Sequence, residues 1–95
     1  MKALFIVHGA VQGVGYRWLV KQVASRNGIR GSVRNMQDGS VRIIAIAEAE
    51  SMKRFESEIS VDLKNGPSVM HIEKYKEHSE NFPKCPNYQK FVIER

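Results

Sequence analysis

Three glycines fall within seven positions of Gly9-Ala10-Val11-Gln12-Gly13-Val14-Gly15-Tyr16-Arg17, between a short apolar run and the first stretch of helical period. A chain that leaves a strand and enters a helix through such a loop brings its backbone close to any ligand there. The N–H groups at the helix N-terminus, which have no partner within the helix, then face that ligand. Arg17, in the first helical turn, puts a cation at the positive end of the helix dipole, at a cost of roughly 0.3–1 kcal/mol. A bound anion reverses that cost, and the planar guanidinium fork matches two oxygens of a phosphate. The segment is either an anion cradle or a plain strand-to-helix turn with a solvated arginine, and the rest of the chain decides between them.

Lys2 to His8, rich in β-formers, reads as a central strand buried on both faces. Tyr16, Leu19, Val20, Val23 and Ala24 then recur at helical spacing, with Lys21, Gln22, Ser25 and Arg26 opposite and Asn27-Gly28 as the stop. Trp18 falls beside the stripe and is assigned to packing at a half-exposed position. Arg30 to Met36 and Val41 to Ala47 flank Asp38-Gly39, a strong hairpin signal. Ser51 is expected to cap a second helix whose inner face is Met52, Phe55, Ile59 and Leu63. Val69 to Glu77 reads as a fourth strand, and Tyr88 to Glu94 as a short last strand at an edge.

The order β-α-β-β-α-β plus a short final strand predicts an α+β, ferredoxin-like split β-α-β sandwich, with two helices on one face of a mainly antiparallel sheet. In that topology the first two strands are parallel with the third between them, so their C-terminal ends share one edge, roughly 10 Å apart. Asn35 is thereby carried toward the glycine loop and Arg17.

Charge points the same way. Residues 1–37 hold six basic side chains and no acid, and every Asp and Glu lies from Asp38 onward. Such asymmetry predicts an anionic partner for the N-terminal part, either a small phosphate or a nucleic acid. The 95 residues contain no linker or low-complexity tract and predict a single domain over 1–95. The longest apolar runs, Ala3 to Val7 and Ile43 to Ala47, are far short of the roughly 20 residues of a membrane span. His8-Gly9 ends the first run too early for a leader peptide. Cys85 is the only cysteine, so no intrachain disulfide forms, and a cytoplasmic location is expected. His8, His71 and His78 show no metal-ligand spacing, so neither a metal nor a cofactor is assigned. The pairs Glu48/Glu50 and Glu56/Glu58 read as solvated surface.

Val7-His8-Gly9-Ala10-Val11-Gln12-Gly13-Val14-Gly15-Tyr16-Arg17, followed by Gly31-Ser32-Val33-Arg34-Asn35-Met36-Gln37-Asp38-Gly39-Ser40-Val41, resembles the two signature segments of the acylphosphatases. Gly66-Pro67 and Tyr88-x-x-Phe91 extend the resemblance to the whole chain. It implies this same fold and metal-independent hydrolysis of the carboxyl–phosphate anhydride of small acyl phosphates, without a covalent intermediate. It also implies that Arg17 holds the phosphate, that Gln12, Gly13, Val14, Gly15 and Tyr16 form the phosphate-binding loop, and that Asn35 orients the attacking water. Two positions depart from the family's usual pattern: Ser32 stands where tryptophan is frequent, and Tyr16 where phenylalanine is usual. The smaller Ser32 is expected to open the corner and alter which acyl groups are accepted.

The competing reading is a non-catalytic anion- or nucleic-acid-binding module of the same fold. RNA-recognition domains share the element order, but they display aromatics on the open sheet face, and the Val41 to Ala47 strand is aliphatic apart from Arg42. A regulatory domain of the same scaffold is the third reading. With Arg17 and Asn35 both present in a chain that stands alone, an active, monomeric enzyme is expected, with a small acyl phosphate as its partner rather than nucleic acid or a membrane.

Overall fold

In the computed structural model, which describes residues 1–95, the chain runs β1 (Lys2–Ala10), α1 (Tyr16–Arg26), β2 (Arg30–Asn35), β3 (Val41–Ile46), α2 (Ala49–Ile59), β4 (Ser68–Lys76) and β5 (Phe91–Glu94). The five strands form one sheet in the order β4-β1-β3-β2-β5. β1 pairs antiparallel with β3 and β4, and β2 pairs antiparallel with β3. Hence β1 and β2 run parallel on either side of β3, as the split β-α-β order requires. β5 adds to the outer edge of β2 in parallel, which brings the C-terminus to the same end of the sheet as Asn35.

Alternation sorts the strand residues onto two faces. Phe5, Val7, Val33, Ile43 and Ala45 join Tyr16, Val20, Val23 and Ala24 of α1 and Met52, Phe55 and Ile59 of α2 in the main core. Phe55 sits between Phe5 and Phe91, with ring centroids 6.0 and 6.2 Å away. Full burial of an aromatic side chain of this kind contributes about 1.5–3 kcal/mol. Phe5 therefore belongs to the helix side and is not displayed for stacking. On the other face Leu4, Ile44, Ile46 and Tyr88 form a second cluster, against which Phe82 and Cys85 pack. The Asn81–Pro86 loop thus covers part of the sheet's second face, and Cys85 is a packing residue there.

Several boundaries differ from the sequence-based expectation. β1 continues past His8 to Ala10 through a bulge between His8 and Gly9. α2 starts at Ala49 with Glu48 in the N-cap position and no side-chain cap bond. The helix is closed by Met52 N–H donating to Glu48 O at 2.9 Å, and Glu50 in the first turn complements the dipole. Ser51 instead accepts from Arg54 Nη2 at 3.2 Å. At its other end α2 stops at Ile59, before Leu63 can join its face. There Val61 O accepts from Val69 N–H at 2.8 Å, and Asp62 bridges Ser68, so the chain has already turned to pair with β4. Leu63 is 46% exposed. The last strand begins at Phe91 rather than Tyr88.

Candidate active site

A cleft of about 210 Å³ lies where the β1–α1 loop, the first turn of α1, the end of β2 and the C-terminal strand meet. It is lined by Arg17 and Asn35 together with Gly13 and Gly15, so the topology brings both signature segments to one place. The loop's shape depends on its glycines. Gly13 and Gly15 have φ of 75° and 79°, and an added Cβ at either would meet nothing within 4 Å. What excludes other residues is therefore the left-handed backbone itself, which costs an L-residue about 1–2 kcal/mol. Gly15 is also the N-cap residue of α1, and no side chain caps the helix. Leu19 N–H is bonded back to Gly15 O at 3.1 Å, and the N–H groups of Tyr16, Arg17 and Trp18 have no intrahelical acceptor.

Arg17 is half-buried, and its Nη1 donates to Glu94 O at 3.2 Å. β5 thereby holds the guanidinium at the cleft. Asn35 Oδ1 is buried with no hydrogen-bond partner in the protein. A buried amide oxygen left unpaired costs about 1–3 kcal/mol. Arg95 lines the same cleft and no Asp or Glu does, so two arginines border whatever enters.

The remaining loop residues divide. Gln12 does not line the cleft: its Nε2 donates to Met36 O at 2.7 Å and Ser40 O at 2.9 Å, tying the loop to the β2–β3 turn. Val14 faces a neighbouring groove and is 38% exposed. Tyr16 borders the cleft, but its phenol runs into the core and donates to Ile59 O at 2.8 Å. Burial pushes the Tyr16 phenol far above its ordinary pKa, so it stays neutral. Ser32 does not open the corner: it is buried on the opposite face of the sheet, 3.0 Å from Tyr88 OH. Sequence reasoning missed Ile93 and Arg95, because the parallel docking of β5 leaves no local signature. It also assigned Trp18 to packing, whereas Trp18 is 64% exposed at the cleft rim.

Elsewhere the ionisable groups pair with one another. His8 Nε2 lies 2.6 Å from Glu73 Oε2 and its ring stacks on His71 at 5.8 Å. Tyr75 OH donates to Glu73 at 2.7 Å. These bonds, Tyr75's foremost, hold Glu73 below its ordinary pKa. Glu58 accepts from Asn27 and Arg26, which lowers its pKa, and Glu56 pairs with Lys74. No three His, Cys, Asp or Glu side chains converge as a metal site.

Fold and cleft together define a small α+β protein with an arginine-lined corner, free of Asp and Glu, built on a strand–loop–helix turn. A model of the acylphosphatase family matches residues 3–93, and the chain belongs to that family. It is 43% identical over 74 residues to the acylphosphatase of Listeria monocytogenes, spanning 78% of this chain and 80% of the relative. It is 41% identical over 81 residues to that of Enterococcus faecalis, spanning 74% and 89%. The crystal structure of acylphosphatase from Bacillus subtilis superposes with a TM-score of 0.82 at 28% identity, covering 99% of this chain and 98% of that one. The structure of T. kodakarensis HypF is similar over all of this chain but only 12% of its own, with a TM-score of 0.80 at 27% identity.

Proposed function

We propose that the cleft hydrolyses small acyl phosphates to a carboxylate and inorganic phosphate, with Arg17 as phosphate anchor and Asn35 as the residue that orients water. Family membership and the relatives of that name support the reaction. The observation that carries the assignment of roles is the convergence of Arg17 and Asn35 on one cleft.

In this reading Arg17 and the free N–H groups of the glycine loop and first helical turn receive the phosphoryl oxygens and offset the charge that develops on them. Asn35 accepts a hydrogen bond from water and aims its oxygen at phosphorus, opposite the anhydride oxygen. The P–O bond to the acyl group breaks as the new P–O bond forms. The acyl oxygen departs as carboxylate, and the water proton passes to a phosphate oxygen. A carboxylate is a stable leaving group, so no strong general acid is called for, and Asn35 itself does not titrate. The loop supplies main-chain donors, with Gln12 and Tyr16 bracing it through their side chains. The proposed setting is cytoplasmic and monomeric, with no metal or cofactor taking part.

The test is release of inorganic phosphate from benzoyl phosphate with chelator present. Turnover should persist in chelator and fall by at least about 100-fold in kcat/KM for Arg17→Ala, a loss of about 2.7 kcal/mol of transition-state stabilisation. A folded protein with no turnover above the uncatalysed rate contradicts the assignment. Salt-sensitive RNA binding that survives Arg17→Ala would favour the nucleic-acid reading. Against that reading, the second face of the sheet is partly covered by Phe82, Cys85 and Tyr88.

A further inference from the structure

β5 is the shortest strand of the sheet and the one that orients Arg17. It pairs with β2 alone, over Phe91–Glu94, and the carbonyl that receives Arg17 Nη1 belongs to Glu94, its last residue. A strand so short frays from its ends unless side chains tie it down. Phe91, buried in the main core, ties the first residue.

The last residue is tied on the far side of the sheet. Ile93 and Arg95 line the cleft, so the Glu94 side chain between them points to the opposite face. In register, Arg34 of β2 stands beside Glu94, and Arg42 of β3 beside Arg34. Glu94, Arg34 and Arg42 therefore form one row across three strands. Two strand spacings, roughly 10 Å, separate β3 from β5, a span that an arginine and a glutamate side chain bridge together. Arg42 reaches over β2, and its Nη2 lies 4.0 Å from Glu94 Oε1. That oxygen is buried, and Arg42 is the only cation within 4.0 Å of it. With the Arg42 side chain only 20% exposed, the pair is screened less than an ion pair at the surface.

We propose that Glu94 is a positioning residue for phosphate binding: its carboxylate, clamped by Arg42 across β2, fixes the carbonyl that aims Arg17 into the cleft. The contacts run from Arg42 Nη2 to Glu94 Oε1 and from Glu94 O to Arg17 Nη1. Neither Glu94 nor Arg42 lines the cleft, so both act through Arg17. Without the clamp the end of β5 moves together with its carbonyl, and Arg17 must be ordered when phosphate binds. Ordering one long side chain on binding is worth about 2- to 10-fold in affinity. This role rests on the reading of Arg17 as the phosphate anchor.

Calorimetric Kd values for inorganic phosphate test it in the wild type, Arg42→Gln, Glu94→Gln, their double variant, Arg17→Ala and Arg17→Ala/Arg42→Gln, each checked for folding by circular dichroism. Phosphate binding is read directly, so the test does not depend on turnover. Where turnover is present, KM for benzoyl phosphate should follow Kd. Arg42→Gln and Glu94→Gln should each raise Kd about 3- to 10-fold. The double variant should be no worse than the weaker-binding single, because one pair is broken in every case. Added to Arg17→Ala, Arg42→Gln should change Kd by less than about twofold. If Arg42→Gln does not fold, Glu94→Gln, which keeps the shape of the side chain, carries the same comparisons. Kd within about twofold of wild type in the folded single variants, while Arg17→Ala weakens binding, overturns the clamp and leaves the anchor standing. Additive losses in the double variant, or an undiminished effect of Arg42→Gln beside Arg17→Ala, mark a general loss of structure and also overturn it. An unchanged Kd in Arg17→Ala removes the anchor itself and the clamp with it.

Discussion

Replacing Gln12 by alanine deletes the brace between the glycine loop and the β2–β3 turn while keeping every main-chain donor of the loop. The cost follows from what its two acceptors retain. Ser40 O still accepts from Met36 N–H at 2.9 Å, and Met36 O from Gly39 N–H at 3.3 Å, so neither carbonyl is orphaned. Each lost bond then lies at the lower end of the usual range, about 0.5–1 kcal/mol, or about 1–2 kcal/mol for the pair. At about 4–8 °C per kcal/mol for a domain of this size, the melting temperature should fall by about 4–16 °C. Gln12→Glu sharpens the test, because at pH 7 it aims a carboxylate at two carbonyl oxygens and should destabilise more than alanine does. Thermal unfolding followed by circular dichroism reads both variants, and phosphate-release kinetics should show a rise in KM, since a looser loop must be ordered on binding. Melting temperatures within 2 °C of wild type for both variants would refute the brace.

Two further substitutions probe other parts of the fold. Ser32→Ala removes the bond to Tyr88 on the face of the sheet away from the cleft; it should cost about 1 kcal/mol and leave the benzoyl-to-acetyl kcat/KM ratio unchanged, as urea unfolding and steady-state kinetics would show. Glu73→Gln addresses acid stability: its folded pKa lies below the ordinary 4.5, so its contribution is present above that value and is lost as pH falls through the folded pKa. Urea midpoints should therefore separate wild type from Glu73→Gln at pH 7 and converge as pH falls through the folded pKa of Glu73.

Much of this arrangement was legible in the sequence because short-range physics fixed it. The stripe Tyr16, Val20, Val23 and Ala24 is buried as its period demands, and Asp38-Gly39 does turn β2 into β3. The meeting of Arg17 and Asn35 needed only the inference that β1 and β2 run parallel about β3. The start of α2 was not legible, because a cap closed by a main-chain bond to Glu48 leaves no side-chain signature, whereas Ser51 offered a false one. The bracing bonds of Gln12 were not legible, because its partners are main-chain carbonyls 24 and 28 residues away, where sequence pattern says nothing. Ser32 was a misreading of available information. The strand's period of two puts it on the face opposite Asn35, and with Val33 on the helix side, Ser32 had to point away from the corner. The contributions of Ile93 and Arg95 depend on the parallel docking of β5, a tertiary choice that four strand residues do not encode.

The division of labour between the two signature residues is tested most directly by Asn35→Ala, measured for kcat on benzoyl phosphate and, separately, for the Kd of inorganic phosphate by calorimetry. If Asn35 orients water while Arg17 and the loop hold the phosphoryl group, kcat should fall by at least about 100-fold with Kd changed by less than about threefold. A variant with near wild-type kcat, or one whose loss of activity is matched by an equal loss of phosphate affinity, would contradict that division and return Asn35 to a binding or structural role.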